Sequence, residues 1–238
     1  MPFRQSQYID FNTDTVIEDP MALMASLPRP WTLDQKIEIH KCMVDVWQLG
    51  VAVAILRQIE AHQQPSTWSH SAYGLLSIVF TYFEMLGKSL SASGKAGDDF
   101  NIGFCDVYPA FTPTNGIYAD KIVQTSGPAP QTSGPAPQNP DIQPVVRFRD
   151  RIRNGIYHLG YTQGAVVLHN QKQVDFEEES VPDPSNPSTN ITIYKVNPHT
   201  LVRTLVTHFP GFTARLGTSG NATTRKNFDT FFDQFLAP

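Results

Sequence analysis
Apolar residues recur at intervals of three and four along much of the chain, the spacing of a helix that buries one stripe. Leu33, Ile37, Val44, Trp47, Val51, Ile55 and Ile59 form the first such run. Thr32 or Asp34 can cap it after Pro30, and Gln63-Gln64-Pro65-Ser66 ends it. Thr67 or Ser69 opens a second helix with Leu75, Leu76, Val79, Tyr82, Phe83 and Leu86 as its core face, and Ser-Ala-Ser-Gly-Lys-Ala-Gly breaks it after about Ser91. Asp98-Asp99 caps a third helix holding Phe100, Phe104 and Val107, stopped by Pro109. A fourth is predicted from about Val145 to Leu159, with Gly160 as its left-handed cap. Asn197-Pro198 opens a fifth that runs to about Leu216, because the amide side chain caps while proline takes the first turn. Asn221 or Thr223 opens a last one through Leu236.

Elsewhere the period changes. Ala165 to His169 and Gln173 to Glu177 predict two short strands around Asn170-Gln171, and Ile191 to Val196 alternates as a third. Residues 1–31 carry Pro2, Pro20, Pro28 and Pro30 and read as an extended lead-in with one short turn at most. From Phe111 to Pro144 the chain turns proline- and glycine-rich, and the heptad Gln-Thr-Ser-Gly-Pro-Ala-Pro occurs twice in tandem, from Gln124 to Pro137. That density continues neither helix nor sheet, and two copies are too few for a solenoid. The expected fold is mainly α. A helical bundle forms a single domain over 32–238, interrupted by a flexible loop at 111–144 and by a small β-hairpin or three-strand insertion at 164–196.

Composition narrows the possibilities. With 40% hydrophobic and 11% aromatic residues in 238, the chain can bury a large core. The start, MPFRQSQYIDFNTD, has no cationic segment followed by an apolar run, and the longest apolar stretch, Leu49 to Leu56, falls short of the roughly 20 residues a bilayer requires. Only Cys42 and Cys105 are present, so a reduced, cytoplasmic protein with neither metal nor cofactor and no membrane partner is expected. The formal net charge of -4 disfavours broad binding of duplex phosphates. A local exception is possible at Arg147, Arg149, Arg151 and Arg153, which form two adjacent helical stripes. The alternative is a solvated helix face offset by Asp150.

The sharpest stretch is Arg153-Asn154-Gly155-Ile156-Tyr157-His158. On a helix Asn154 and His158 share a stripe, and Arg153 lies about 140° around but can bend back. Gly155 removes bulk at a helix cost of about 1 kcal/mol, which suggests a close approach there. Arg203-Thr204-Leu205-Val206-Thr207-His208 repeats the Arg-to-His spacing without the asparagine and glycine.

The first string resembles the mark of the HEPN family: an Arg, a polar residue that is often Asn, three variable residues and His, on a helix of a compact bundle. Phe80-Thr81-Tyr82-Phe83-Glu84-Met85, Gly103-Phe104 and Gly160-Tyr161-Thr162 fit the same resemblance, which covers roughly residues 35–165. It implies a metal-independent endoribonuclease acting on RNA as a homodimer, with both protomers' Arg–His pairs lining one cleft. His158 would be the general acid or base, Arg153 would stabilise the transition-state charge, and Asn154 would orient His158 or bind phosphate. Glu84 and Tyr157 would support them, and Arg147, Arg149 and Arg151 would contact single-stranded RNA. A role in defence or toxin–antitoxin systems is a further implication. So is the family's other mode, an inactive module that dimerises and binds a protein or nucleic acid.

Plainer alternatives stand beside this. Arg153 could pair with a carboxylate such as Glu84 while His158 caps helix carbonyls. His40, His62 and His70 lack metal-ligand spacing and read as core or surface residues. Asp175-Phe176-Glu177-Glu178-Glu179 reads as an acidic hairpin edge before a metal site, and Cys105 as a core thiol.

Overall fold
The computed structural model describes residues 8–10, 15–17, 19–62, 65–91, 96–111, 145, 149–153, 166–168 and 175–236. Thr32 opens the first long helix with a reciprocal box: its hydroxyl accepts from the Gln35 amide while its own amide donates to Gln35 Oε1. The helix runs as α2 (Leu33–Val44), a π turn (Asp45–Leu49) and α3 (Gly50–His62). The apolar period predicts an unbroken α-helix here. The wider π turn rotates the register, so Val46 and Leu49 are buried while Trp47 and Val51, expected on the buried stripe, are 39% and 42% exposed. The helical stretch Leu33–Ala61 is long and apolar enough to cross a membrane by length and composition, unlike the short Leu49–Leu56 run alone. Its Ile39, Val44, Ala52, Leu56 and Ile59 lie in the protein core.

The second helix, α4 (Pro65–Ser91), starts slightly before Thr67, and α5 (Ala96–Val107) starts before Asp98-Asp99, which sit in its first turn. The two helices touch backbone to backbone. A Cβ on Gly103 would lie 1.9 Å from the Phe83 carbonyl oxygen, and one on Gly87 only 1.7 Å from that of Asp99. This approach lets Phe80 and Phe100 stack with ring centroids 5.2 Å apart, and Phe83 and Phe104 meet edge-on at 5.2 Å.

Two helices close the bundle. Asn197 caps α6 (Pro198–Gly217), accepting from the His199 and Thr200 amides as the Asn-Pro signal predicts. For α7 (Ala222–Phe231) Asn221 holds the cap position, but its amide donates instead to the Arg215 carbonyl. Asn227 donates to the last-turn Leu90 carbonyl of α4 at 2.5 Å, satisfying an end that would otherwise need water. Lys36, only 8% exposed, pairs with Asp229 and Asp233 at 2.6 Å each. Burial opposes its charge, yet the two carboxylates more than offset this and raise its pKa.

Two expectations need correction. Residues 1–31 are more than an extended lead-in: β1 (Tyr8–Asp10) pairs antiparallel with β2 (Thr15–Ile17), and α1 (Pro20–Ser26) follows, capped by Asp19. Asp19-Pro20 is the same cap-then-proline opening as Asn197-Pro198. Met24 and Trp31 join the core, Trp31 edge-on to Phe232 at 5.8 Å. Nor do the first two strands of the insertion form the hairpin. The sheet order is β3 (Val166–Leu168), β5 (Asn186–Val196), β4 (Phe176–Asp183), with β3 parallel to β5 and β4 antiparallel to it. The long β5, with Tyr194 and Val196 buried, supplies the central strand that short apolar windows underestimate. The acidic run does lie on a sheet edge, β4, where Glu179 pairs with Lys195. The expected loop at 111–144 falls outside the described residues except for Phe111.

Candidate functional site
The motif segment is described only at its beginning. Val145 and Ile152 are 1% and 0% exposed and belong to the main core cluster, so both side chains dock on the bundle. Arg149–Arg153 forms a π turn. Arg149 is half-buried, and its Nε and Nη2 bond to Asp150 Oδ1 at 2.9 and 2.8 Å. Asp150 therefore offsets the charge of Arg149. Arg153 ends the turn. Arg147, Asn154, Gly155, Ile156, Tyr157 and His158 lie outside the described residues, as do the side chains of Arg151 and Arg153. Glu84 is half-buried on α4, but its expected pairing with Arg153 concerns a side chain outside the described set.

The second Arg-to-His spacing is fully described, and its two members diverge. Arg203 is exposed and pairs with Glu60 on α3 at 2.5 Å. His208 turns the other way, into a cluster that joins α4, α5 and α6. Its Nε2 lies 3.0 Å from Asp106 Oδ2, and its Nδ1 lies 3.1 Å from the Tyr82 hydroxyl. Arg215 completes the set with a short contact to the same Asp106 oxygen. The Asp106 side chain is 1% exposed, and two cationic or donor partners compensate its burial. A carboxylate only accepts, so Nε2 carries a proton toward Asp106. Burial, with the Asp106 charge adding to it, raises the Tyr82 phenol pKa well above its ordinary value. Both ring nitrogens are engaged inside the protein, so the cluster ties three helices together and leaves neither nitrogen for a substrate.

A second, half-buried carboxylate is held by two hydroxyls. Tyr108 and Thr204 hydroxyls donate to Asp175 Oδ2 at 2.5 and 2.7 Å, tying the start of β4 to the residue that follows α5 and to α6. This draws Asp175 out of the acidic run in which it stands in sequence. Cys105 is buried, and its thiol pKa is pushed up to about 12 by desolvation and by Asp106, which suits a core residue rather than a nucleophile.

Asp106, Tyr82, His208 and Arg215 escaped sequence reading because the contact spans more than a hundred residues and follows no local spacing. The usable signal was an acidic residue, Asp106, at the end of an otherwise apolar face. Comparison of the chain with protein families, with curated proteins and with solved structures found no match.

Proposed function
We propose that the protein is a HEPN-like, metal-independent endoribonuclease that acts on RNA as a homodimer. The observation that carries the reading is Ile152. It is 0% exposed in a mainly helical core and fixes the turn that ends at Arg153 to the bundle. The motif Arg153-Asn154-Gly155-Ile156-Tyr157-His158 thus begins on an anchored element, as positioned catalysis requires. In this reading His158 moves the proton of the 2′-hydroxyl or of the leaving 5′-oxygen. Arg153 stabilises the charge that develops on phosphorus-bound oxygens, and Asn154 orients the imidazole or binds phosphate. Imidazole suits the task because its unperturbed pKa lies near neutrality. The other copy, Arg203 with His208, is not offered for this role, since its arginine and histidine engage separate carboxylates.

A second reading, a dimeric helical module that binds RNA or protein without cleaving, is favoured by the Arg149–Asp150 pair and the net charge of -4. Incubation with single-stranded RNA in excess chelator separates the two. Cleavage by the wild type that falls by at least about 100-fold in His158→Ala and in Arg153→Ala is the expected result. RNA retained on the protein but never cut would support the module instead, and cleavage indifferent to His158 would remove its assigned role.

A further inference from the structure
A cavity of about 130 Å³ lies where the π turn leaves α2, lined by His40, Met43, Val44, Trp47, Gln48 and Met85. His40 and Met43 are three apart on α2 and therefore share a face. Met85 comes from α4 and places its sulfur 3.0 Å from His40 Nε2. The His40 ring is 1% exposed, and its Nδ1 has no hydrogen-bond partner. The rings of Phe209, Phe212, Phe228 and Phe231 surround it edge-on, so aromatic carbon rather than a carboxylate forms that side. Gln48 Oε1 is also buried without a donor. One neutral imidazole and two thioethers thus gather around a small space whose buried polar atoms are incompletely satisfied.

We propose that this cavity is a binding site for a soft monovalent metal ion, Cu(I), held by the His40 imidazole and the Met43 and Met85 thioethers. Thioether sulfur selects soft ions, and imidazole accompanies it readily, whereas Mg(II), Ca(II) and Mn(II) seek oxygen ligands. The set carries no formal charge, which fits a monovalent ion better than a divalent one at a buried position. Burial keeps the imidazole in the unprotonated form a ligand must have. The volume admits an ion together with a few waters, whereas a drug-sized molecule needs several hundred Å³. Entry needs only a small opening of the nitrogen–sulfur contact, within reach of the unbranched methionine side chains. Trp47, a lining residue that is 39% exposed, puts the cavity edge next to solvent. Among the described residues no cluster of three His, Cys, Asp or Glu side chains exists, and two of the three ligands here are of neither kind.

The test is anaerobic titration of the full chain with Cu(I) against a chromophoric chelator. A Cys42→Ser/Cys105→Ser background removes the two thiols that could bind the ion on their own account. One equivalent bound by both the wild type and this background is expected. Adding Met43→Leu and Met85→Leu, which nearly conserve volume, should weaken binding by about tenfold or more without unfolding the protein. Should that protein not fold, Met43→Leu alone, at a half-buried position, is read the same way. Failure of the wild type to take Cu(I) from the chelator, loss of binding in the cysteine background, or binding indifferent to the methionines would each overturn the site.

Discussion

At the scale of single residues, the most consequential side chain is the buried His40. Its neighbours are Met85 and four phenylalanine rings, none of which titrates. Desolvation alone lowers its pKa to about 3, against 6.5 when unfolded. The folded protein therefore holds a neutral ring over a range in which the unfolded chain takes up a proton. Stability from this ring is complete above about pH 6.5 and declines as pH falls toward 3, at a limiting slope near 1.4 kcal/mol per pH unit. Urea unfolding at pH 7, 5.5 and 4.5 should show the wild type losing on the order of 2 kcal/mol more than His40→Leu across that interval. Parallel declines in the two proteins would mean that the ring is reached by water in the folded state.

At the scale of elements, α4 and α5 meet backbone to backbone, and the contact rests on two glycines. Gly103→Ala would drive a methyl into the Phe83 carbonyl, and Gly87→Ala into that of Asp99; these are backbone atoms that no rotamer change can move aside. Either substitution should cost about 3 kcal/mol or more, read as a lowered urea midpoint, while Gly74→Ala, whose Cβ meets open space, should be neutral or slightly stabilising. A Gly103→Ala protein as stable as the wild type would show that the helices can separate at little cost. These elements were readable because their signals are local. Thr32 with Gln35, Asn197-Pro198 and the apolar stripes each lie within one or two turns. The π turn was not readable, since one extra residue per turn changes no residue type and only shifts Trp47 and Val51 outward. The same limit applies to the sites. The Arg153–His158 string is visible as a spacing, whereas His208 meets Asp106 and His40 meets Met85 only through the packing of distant helices. Parallel pairing of β3 with β5 is hidden for the same reason: Val166 pairs directly with Tyr194, although β4 lies between them in sequence.

At the scale of the whole molecule, the proposed nuclease makes a claim about stoichiometry that no single-chain substitution tests. If the Arg–His pairs of two protomers line one groove, a dimer with one intact His158 should be impaired as a unit, not half active. A two-fold arrangement brings the same surface of both copies together, so each protomer's pair completes the other's site. Mixing wild-type and His158→Ala chains in equal amounts, with exchange through unfolding and refolding, yields intact homodimers as about one quarter of all dimers. The shared-groove arrangement therefore predicts cleavage near one quarter of that of the same total amount of wild-type protein. Independent sites predict about one half. Light scattering on the mixture establishes that dimers form, and tagged chains purified as heterodimers isolate the mixed species. A heterodimer with half the wild-type rate would place the chemistry within each protomer. One with nearly none would place the scissile phosphodiester between the two copies of the motif, where the neutralising charge must come from both chains.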